Sequence, residues 1–221
     1  MDDTQTQQIS IADDMAAAVE QFSRDGFYVL RGAVDPVLAD KIRAEMQSID
    51  EHSSYVGFIK KMNVVPSKAN QQHHKFRFKD LYVNNTDVRA AIFSPRIVDT
   101  ICALTGHPML AFQSLGFVKG SGLRIHNDAN FVSVTQPESV VGCWVALEDI
   151  NPGCGELIYY PGSHRFPLYE FSSGSIHKDK KKDGVYGHEP YVNWLREQIE
   201  VNHLEEQRFT AKKGDCLIWH A

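Results

Sequence analysis

The chain has no apolar run of the roughly 18 or more residues that a membrane-spanning helix takes. It has no surplus of positive charge either: 23 Lys and Arg stand against 28 Asp and Glu, a net charge of −5. That balance argues against a protein that holds nucleic acid by bulk charge. Cysteine is scarce, at Cys102, Cys143, Cys154 and Cys216, and no CxxC spacing occurs. A disulfide framework and a thiolate zinc site are therefore disfavoured, and reduced thiols are expected. The first residues, MDDTQTQQIS, carry no apolar signal segment, which adds to the expectation of a cytoplasmic protein. Repeats and low-complexity tracts are missing as well. What remains is ordinary globular composition, 43% hydrophobic and 23% charged, over 221 residues, a length that fits one domain.

Helix signals dominate the first half. Ser10 and Asp13 read as a capping box, followed by Met15, Val19 and Phe22 at helical spacing, with Gly26 as the stop. Phe27 to Leu30 reads as a short strand. Asp35-Pro36 and Ser94-Pro95 each predict a helix start. Leu38, Ile42, Met46 and Ile49 line the face of the first of these helices, and Ile97, Ile101 and Leu104 that of the second, which Gly106 ends. Residues 51 to 80 are polar and mixed. They include His52, His73 and His74, and the basic Lys60, Lys61, Lys75 and Arg77.

From about residue 109 the pattern changes to short β-type runs: 109–118, 122–128, 139–148, 156–160, 207–211 and 215–219. Gly120, Pro152-Gly153, Pro161-Gly162 and Gly214-Asp215 separate them, a texture that predicts a sandwich or jelly roll. Residues 165–206 interrupt it with a charge run from Lys178 to Asp183 and a helix near 190–205. An ordered insertion of that length is often functional.

The sharpest chemical signal is His126-Asn127-Asp128. On a strand, residues i and i+2 point to one side, so an imidazole and a carboxylate project together, as two ligands of one metal do. A further histidine would complete the 2-His-1-carboxylate facial triad, which binds Fe(II) and leaves positions open for cosubstrate and oxygen.

Five blocks carry a family resemblance. Phe22 with Asp25-Gly26-Phe27-Tyr28-Val29-Leu30 resembles the F-x-x-D-G-[FY]-x-x-L entry of the phytanoyl-CoA dioxygenase family. His126-Asn127-Asp128 is similar to its HxD. Trp144-Val145-Ala146-Leu147-Glu148-Asp149, followed by Gly155-Glu156-Leu157, resembles its W-x-A-L-x-D…G-x-L. Pro161-Gly162-Ser163-His164 resembles its PGSH turn, and Gly214-Asp215 with Trp219-His220 its GD…H. The blocks keep the family order across residues 22 to 220.

The resemblance implies a mainly β fold with flanking helices. This is a double-stranded β-helix (jelly roll, cupin-like) within a single dioxygenase domain over 1–221, lacking its last strands in the given chain. The helical part covers about 10–106, and the core about 109–221 with its insertion at about 165–206. It implies an Fe(II)- and 2-oxoglutarate-dependent dioxygenase that uses O2, releases succinate and CO2, and hydroxylates a C–H bond of a small organic or acyl substrate. His126 and Asp128 would be metal ligands, and Gln113 and Trp144 would lie against 2-oxoglutarate. A carboxylate at 128 favours hydroxylation over halogenation, where a small residue makes room for chloride. The family's third ligand, a second histidine, and its 2-oxoglutarate arginine fall beyond Ala221. His220 fits the family's upstream, non-ligand histidine better than the third ligand, a role it would take only in a shortened register. His164 reads as a turn side chain bonding backbone groups. The competing reading is a catalytically inactive jelly-roll relative that binds or scaffolds, or a fragment of an active enzyme. Neither reading names the substrate or the oligomeric state.

Overall fold

Apolar spacing and end signals account for the helices of this computed structural model. The structure describes residues 3–50, 71, 76–132, 134–136, 139–179, 181–183 and 188–221. His52, His73, His74, Lys60, Lys61, Lys75 and Lys180 lie outside the described residues. Helix α1 spans Asp3–Asp25 and buries Ala18 and Phe22 with Met15 beside them, while Val19 sits at its margin. The start predicted at Ser10 is corrected to Asp3. Nothing between them breaks a helix, and propagation is easy once a helix has nucleated. Gly26 ends α1 at φ +78°, its amide donating to the Phe22 carbonyl at 2.8 Å.

The two proline-led helices start where their caps predict. Asp35 accepts from the amides of Val37 and Leu38 to open α2 (Pro36–Ser48), which buries Ala39, Ile42 and Met46. After the short α3 (Thr86–Ile92), Ser94 caps α4 (Pro95–Thr105), which buries Ile97, Thr100 and Leu104 and stops at Gly106.

The strands pair antiparallel throughout. β1 (Phe27–Leu30), β7 (Cys216–His220) and β4 (Val141–Val145) form a sheet with β7 in the middle. In register, Phe27 faces Trp219 across one ladder and Gly142 faces Trp219 across the other. β2 (Phe78–Lys79) pairs with β3 (Leu115–Gly116), and β5 (Leu157–Tyr159) with β6 (Gln207–Phe209). Helices hold more of the described residues than strands do, so the architecture is mixed rather than mainly β. The run at 109–118 supplies only β3, and 122–128 supplies no strand.

β7 is apolar on both faces because it is buried on both. Cys216, Leu217 and Ile218 are each 0% exposed. Cys216 and Ile218 face the helical side, with Phe22, Ile42, Phe78 and Ile97. Leu217 faces the other side, with Phe27, Ala146 and Phe209, where the β5–β6 pair closes the layer. Ring contacts join the layers there: Phe27 to Tyr159 at 4.6 Å between centroids, and Trp144 to Phe209 at 5.8 Å. Cys143 and Cys154 are free and exposed, and the Cys143 Sγ lies 3.2 Å from that of buried Cys216.

Glu156 fastens the β5 side. Its carboxylate accepts from the Gly153 amide at 3.0 Å and pairs with Arg208 at 3.0 Å. Backbone amide donation, with the Arg208 guanidinium, holds its pKa down to about 2 from an ordinary 4.5. A depressed carboxylate stabilises the fold above its unfolded pKa, and that contribution fades as pH falls through the folded value. Glu156→Gln is thus expected to melt below wild type at pH 7 and to match it near pH 2. Thermal melts at both pH values check this.

The insertion is ordered around its own small core. Helix α5 (His188–Val201) buries Tyr191, Val192 and Leu195 against Phe171, with Ile125, Phe166, Tyr169 and Trp194 at the edges. Asp183, at the end of the charge run, is a structural anchor. It accepts from the Ser172 and Ser173 hydroxyls and from the amides of Ser173 and Asp179.

Candidate active site

His126 and Asp128 come together although their segment is not a strand. Asn127 is extended, at φ −107° and ψ 125°, and Asp128 opens a 3-10 turn, Asp128–Asn130. One extended residue is enough to place its two neighbours on one side. The His126 Nε2 and Asp128 Oδ1 atoms lie 3.2 Å apart.

Each donor group is fixed from behind. His126 Nδ1 lies 2.7 Å from the Arg124 carbonyl, which can only accept, so Nδ1 carries a proton. The neutral imidazole then offers its lone pair at Nε2, the tautomer a metal needs. Asp128 Oδ2 accepts the Trp219 indole N–H at 3.1 Å, leaving Oδ1 toward His126. Burial works against charge on both groups, yet their mutual hydrogen bond and attraction prevail. The His126 pKa is raised and the Asp128 pKa lowered, with the Arg124 carbonyl and the Trp219 indole adding in the same directions.

The insertion buttresses this loop. The Asn127 amide donates to the Tyr191 hydroxyl at 2.6 Å. Asn130, 1% exposed, donates to the carbonyls of Tyr169 and Ile176 at 3.1 and 2.6 Å. Asn130→Ala leaves both carbonyls without that donor, at about 1–3 kcal/mol per orphaned buried group. A urea titration is expected to show that loss of stability. Phe131 stands edge-on to the His126 ring at 5.9 Å between centroids and is 44% exposed, so an apolar wall borders the loop.

The remaining sequence candidates fall elsewhere. Trp144 lies on β4 opposite Leu217, on the sheet face that carries Trp219, and its ring packs on Phe209. Gln113 is exposed in the irregular stretch before β3, and no contact among the described residues ties it to His126 or Asp128. His164 bonds backbone: its Nε2 meets the Ser23 carbonyl at 3.1 Å, at the C-terminal end of α1. The Gly162 amide also donates to Asp25, so the PGSH turn caps that helix. The imidazole lies over Gly26, where a Cβ would meet Nδ1 at 2.3 Å, which is why that residue is glycine. His220 faces His164 at 5.6 Å between ring centroids. Both line a cavity of about 100 Å³ with Asn127, Ala129, Phe166, Leu168 and Ala221, and neither His126 nor Asp128 borders it.

The donor set fits iron for two protein ligands, an imidazole nitrogen and a carboxylate oxygen with their outer partners in place. Among the described residues no third His, Cys, Asp or Glu joins them. Sequence reasoning missed Trp219, Tyr191 and Asn130 as partners of this loop. The Trp219-His220 pair stood in a recognised block, yet nothing local tied it to Asp128, 91 residues away.

The chain belongs to the phytanoyl-CoA dioxygenase family, whose model matches residues 22–221. That family is one of iron- and 2-oxoglutarate-dependent oxygenases that use O2. The chain is similar in structure to the epimerase SnoN from nogalamycin biosynthesis, described in complex with Fe3+, alpha ketoglutarate and nogalamycin RO. The TM-score is 0.61 at 17% identity, over 95% of this chain and 75% of that one. It is also similar to SnoK, a non-heme alpha ketoglutarate dependent carbocyclase of the same pathway (TM-score 0.64, 15% identity, 92% and 73% covered). AviO1 from Streptomyces viridochromogenes Tue57 gives a TM-score of 0.54 at 18% identity, over 93% and 83%. A search of curated proteins by sequence returns no match. No helix among the described residues is long and apolar enough to cross a membrane.

Proposed function

We propose that the protein is an Fe(II)- and 2-oxoglutarate-dependent dioxygenase that hydroxylates a C–H bond of a small organic or acyl substrate, releasing succinate and CO2. The observation that carries this reading is the pair of His126 Nε2 and Asp128 Oδ1, 3.2 Å apart and each held by a second bond. The two layers facing each other across Leu217 and Phe209 are read as part of a jelly roll. When bound, the iron supplies oxygen activation coupled to loss of CO2 from 2-oxoglutarate. His126 and Asp128 would hold it. Phe131 would turn an apolar surface to the substrate and keep water from the reacting carbon. Trp144 shares a sheet face with Trp219, which supports a cosubstrate-side role. Gln113 enters this reading only through the family resemblance.

His126 Nε2 would have to give up the proton it shares with Asp128 to hold a metal, so binding would release a proton. The His126 pKa lies above its ordinary 6.5. Below that raised value, iron affinity is expected to fall about tenfold per pH unit, and above it to level off. Calorimetric metal titrations in two buffers of different ionisation enthalpy check both the slope and the proton release.

The test of the function is succinate formation from 2-oxoglutarate with Fe(II) and O2 across a substrate screen, alongside 2-oxoglutarate binding by calorimetry. Failure of both overturns the enzyme. A second reading, a non-catalytic relative that keeps the scaffold, is supported by the two-donor set among the described residues. It predicts ligand binding without iron-dependent succinate.

A further inference from the structure

We propose that Trp219, seated on Gly142, is the positioning residue that aims the Asp128 carboxylate at the metal. The proposal rests on the iron reading above. Trp219 lies on the central strand β7, with Phe27 of β1 on one side and Gly142 of β4 on the other. Its ring lies across Gly142: a Cβ there would meet the indole Cε2 at 2.2 Å, Cζ2 at 2.3 Å and Nε1 at 2.7 Å. Gly142 is not among the residues with positive φ, so backbone conformation does not demand glycine. Glycine inside a strand weakens it, and here the space it leaves is what the indole occupies. Any side chain at 142 would evict the ring and move its N–H away from Asp128.

The chemistry of the contact suits a ligand-orienting role. An indole has one donor and no acceptor, so it binds one carboxylate oxygen and leaves the other uncommitted. Here it takes Oδ2 at 3.1 Å, and Oδ1 is the oxygen that faces His126. A lysine or arginine in this place would pair with the carboxylate as a cation and compete with the metal. A neutral donor fixes the geometry without that competition. Such outer partners of metal ligands typically matter by 10- to 100-fold in affinity or activity. Because the indole is carried by a strand paired on both sides, its direction is set by the sheet rather than by a loop.

Trp219→Phe keeps an aromatic ring on the strand but removes the N–H together with the second ring, while Gly142→Ala keeps the indole and displaces it. Co(II) titration by calorimetry on the whole chain is expected to show about a tenfold loss in both variants, with melting curves that remain cooperative. A metal-free measurement stands beside it. The indole N–H resonance assigned to Trp219, by its disappearance in Trp219→Phe, is expected to move upfield in Asp128→Ala. Wild-type Co(II) affinity in both variants overturns the positioning role. An indole resonance unmoved by Asp128→Ala overturns the contact itself. If wild type takes up no Co(II) that His126→Ala abolishes, the iron reading falls and this role with it. A wild-type site that binds while the two variants match it sinks the Trp219 proposal alone.

Discussion

Asp128→Ala is expected to lower 2-oxoglutarate turnover and metal affinity by at least about a hundredfold. Losing an outer partner of a ligand already costs 10- to 100-fold, and this change would remove a proposed ligand outright. Asp128 Oδ1 lies 3.2 Å from His126 Nε2, and among the described residues no third His, Cys, Asp or Glu joins the pair. Alanine also strands the Trp219 N–H, whose acceptor is Oδ2. Part of any stability change therefore comes from that orphaned donor, which is why metal affinity must be read beside turnover. Asp128→Asn separates the two effects. It keeps an oxygen for the indole but removes the charge that pairs with His126, and it is expected to lose metal while melting above Asp128→Ala. Equal succinate release by wild type and Asp128→Ala, with equal metal uptake, would remove Asp128 from the centre.

Leu217→Ala is expected to be among the most damaging truncations in the fold, at about 2–5 kcal/mol. Leu217 is fully buried on the central strand, between Phe27, Ala146 and Phe209. Neighbouring Cys216 and Ile218 fill the opposite layer, so the strand cannot shift toward the void without opening the helical core. Cavities that cannot collapse lie at the costly end of the range. The same substitution at Val201, 67% exposed at the end of α5, is expected to change stability by less than about 0.5 kcal/mol. Urea titrations of the two variants make the comparison. Similar midpoints would show that β7 is not the centre of the core.

Much of this arrangement is visible in the residues themselves because it is local. Asp35-Pro36 and Ser94-Pro95 open helices since each pairs a side-chain acceptor with a ring that needs no amide partner. Residues 215–219 read as a strand because they form a short apolar run bounded by a turn. His126-Asn127-Asp128 needed less than a strand: a single extended residue at 127 gives the same geometry. The misses are contacts made across the chain. Trp219 reaches Asp128 only because Gly142 leaves room in the neighbouring strand, and no periodicity reports a missing side chain across a ladder. Tyr191 and Asn130 couple the insertion to the loop through one hydroxyl and two carbonyls, and backbone acceptors leave no mark in a sequence. Trp144 illustrates the opposite case. Its family block is recognisable, yet its nearest aromatic partner is the core residue Phe209.

The central claim is that His126 and Asp128 hold one divalent iron. Anaerobic calorimetry of Fe(II) into the wild-type chain and into His126→Ala and Asp128→Ala tests it most directly. One saturable site in wild type, lost in both variants while their folds persist, is the predicted result. Uptake that survives both substitutions unchanged would place the metal elsewhere and contradict the account.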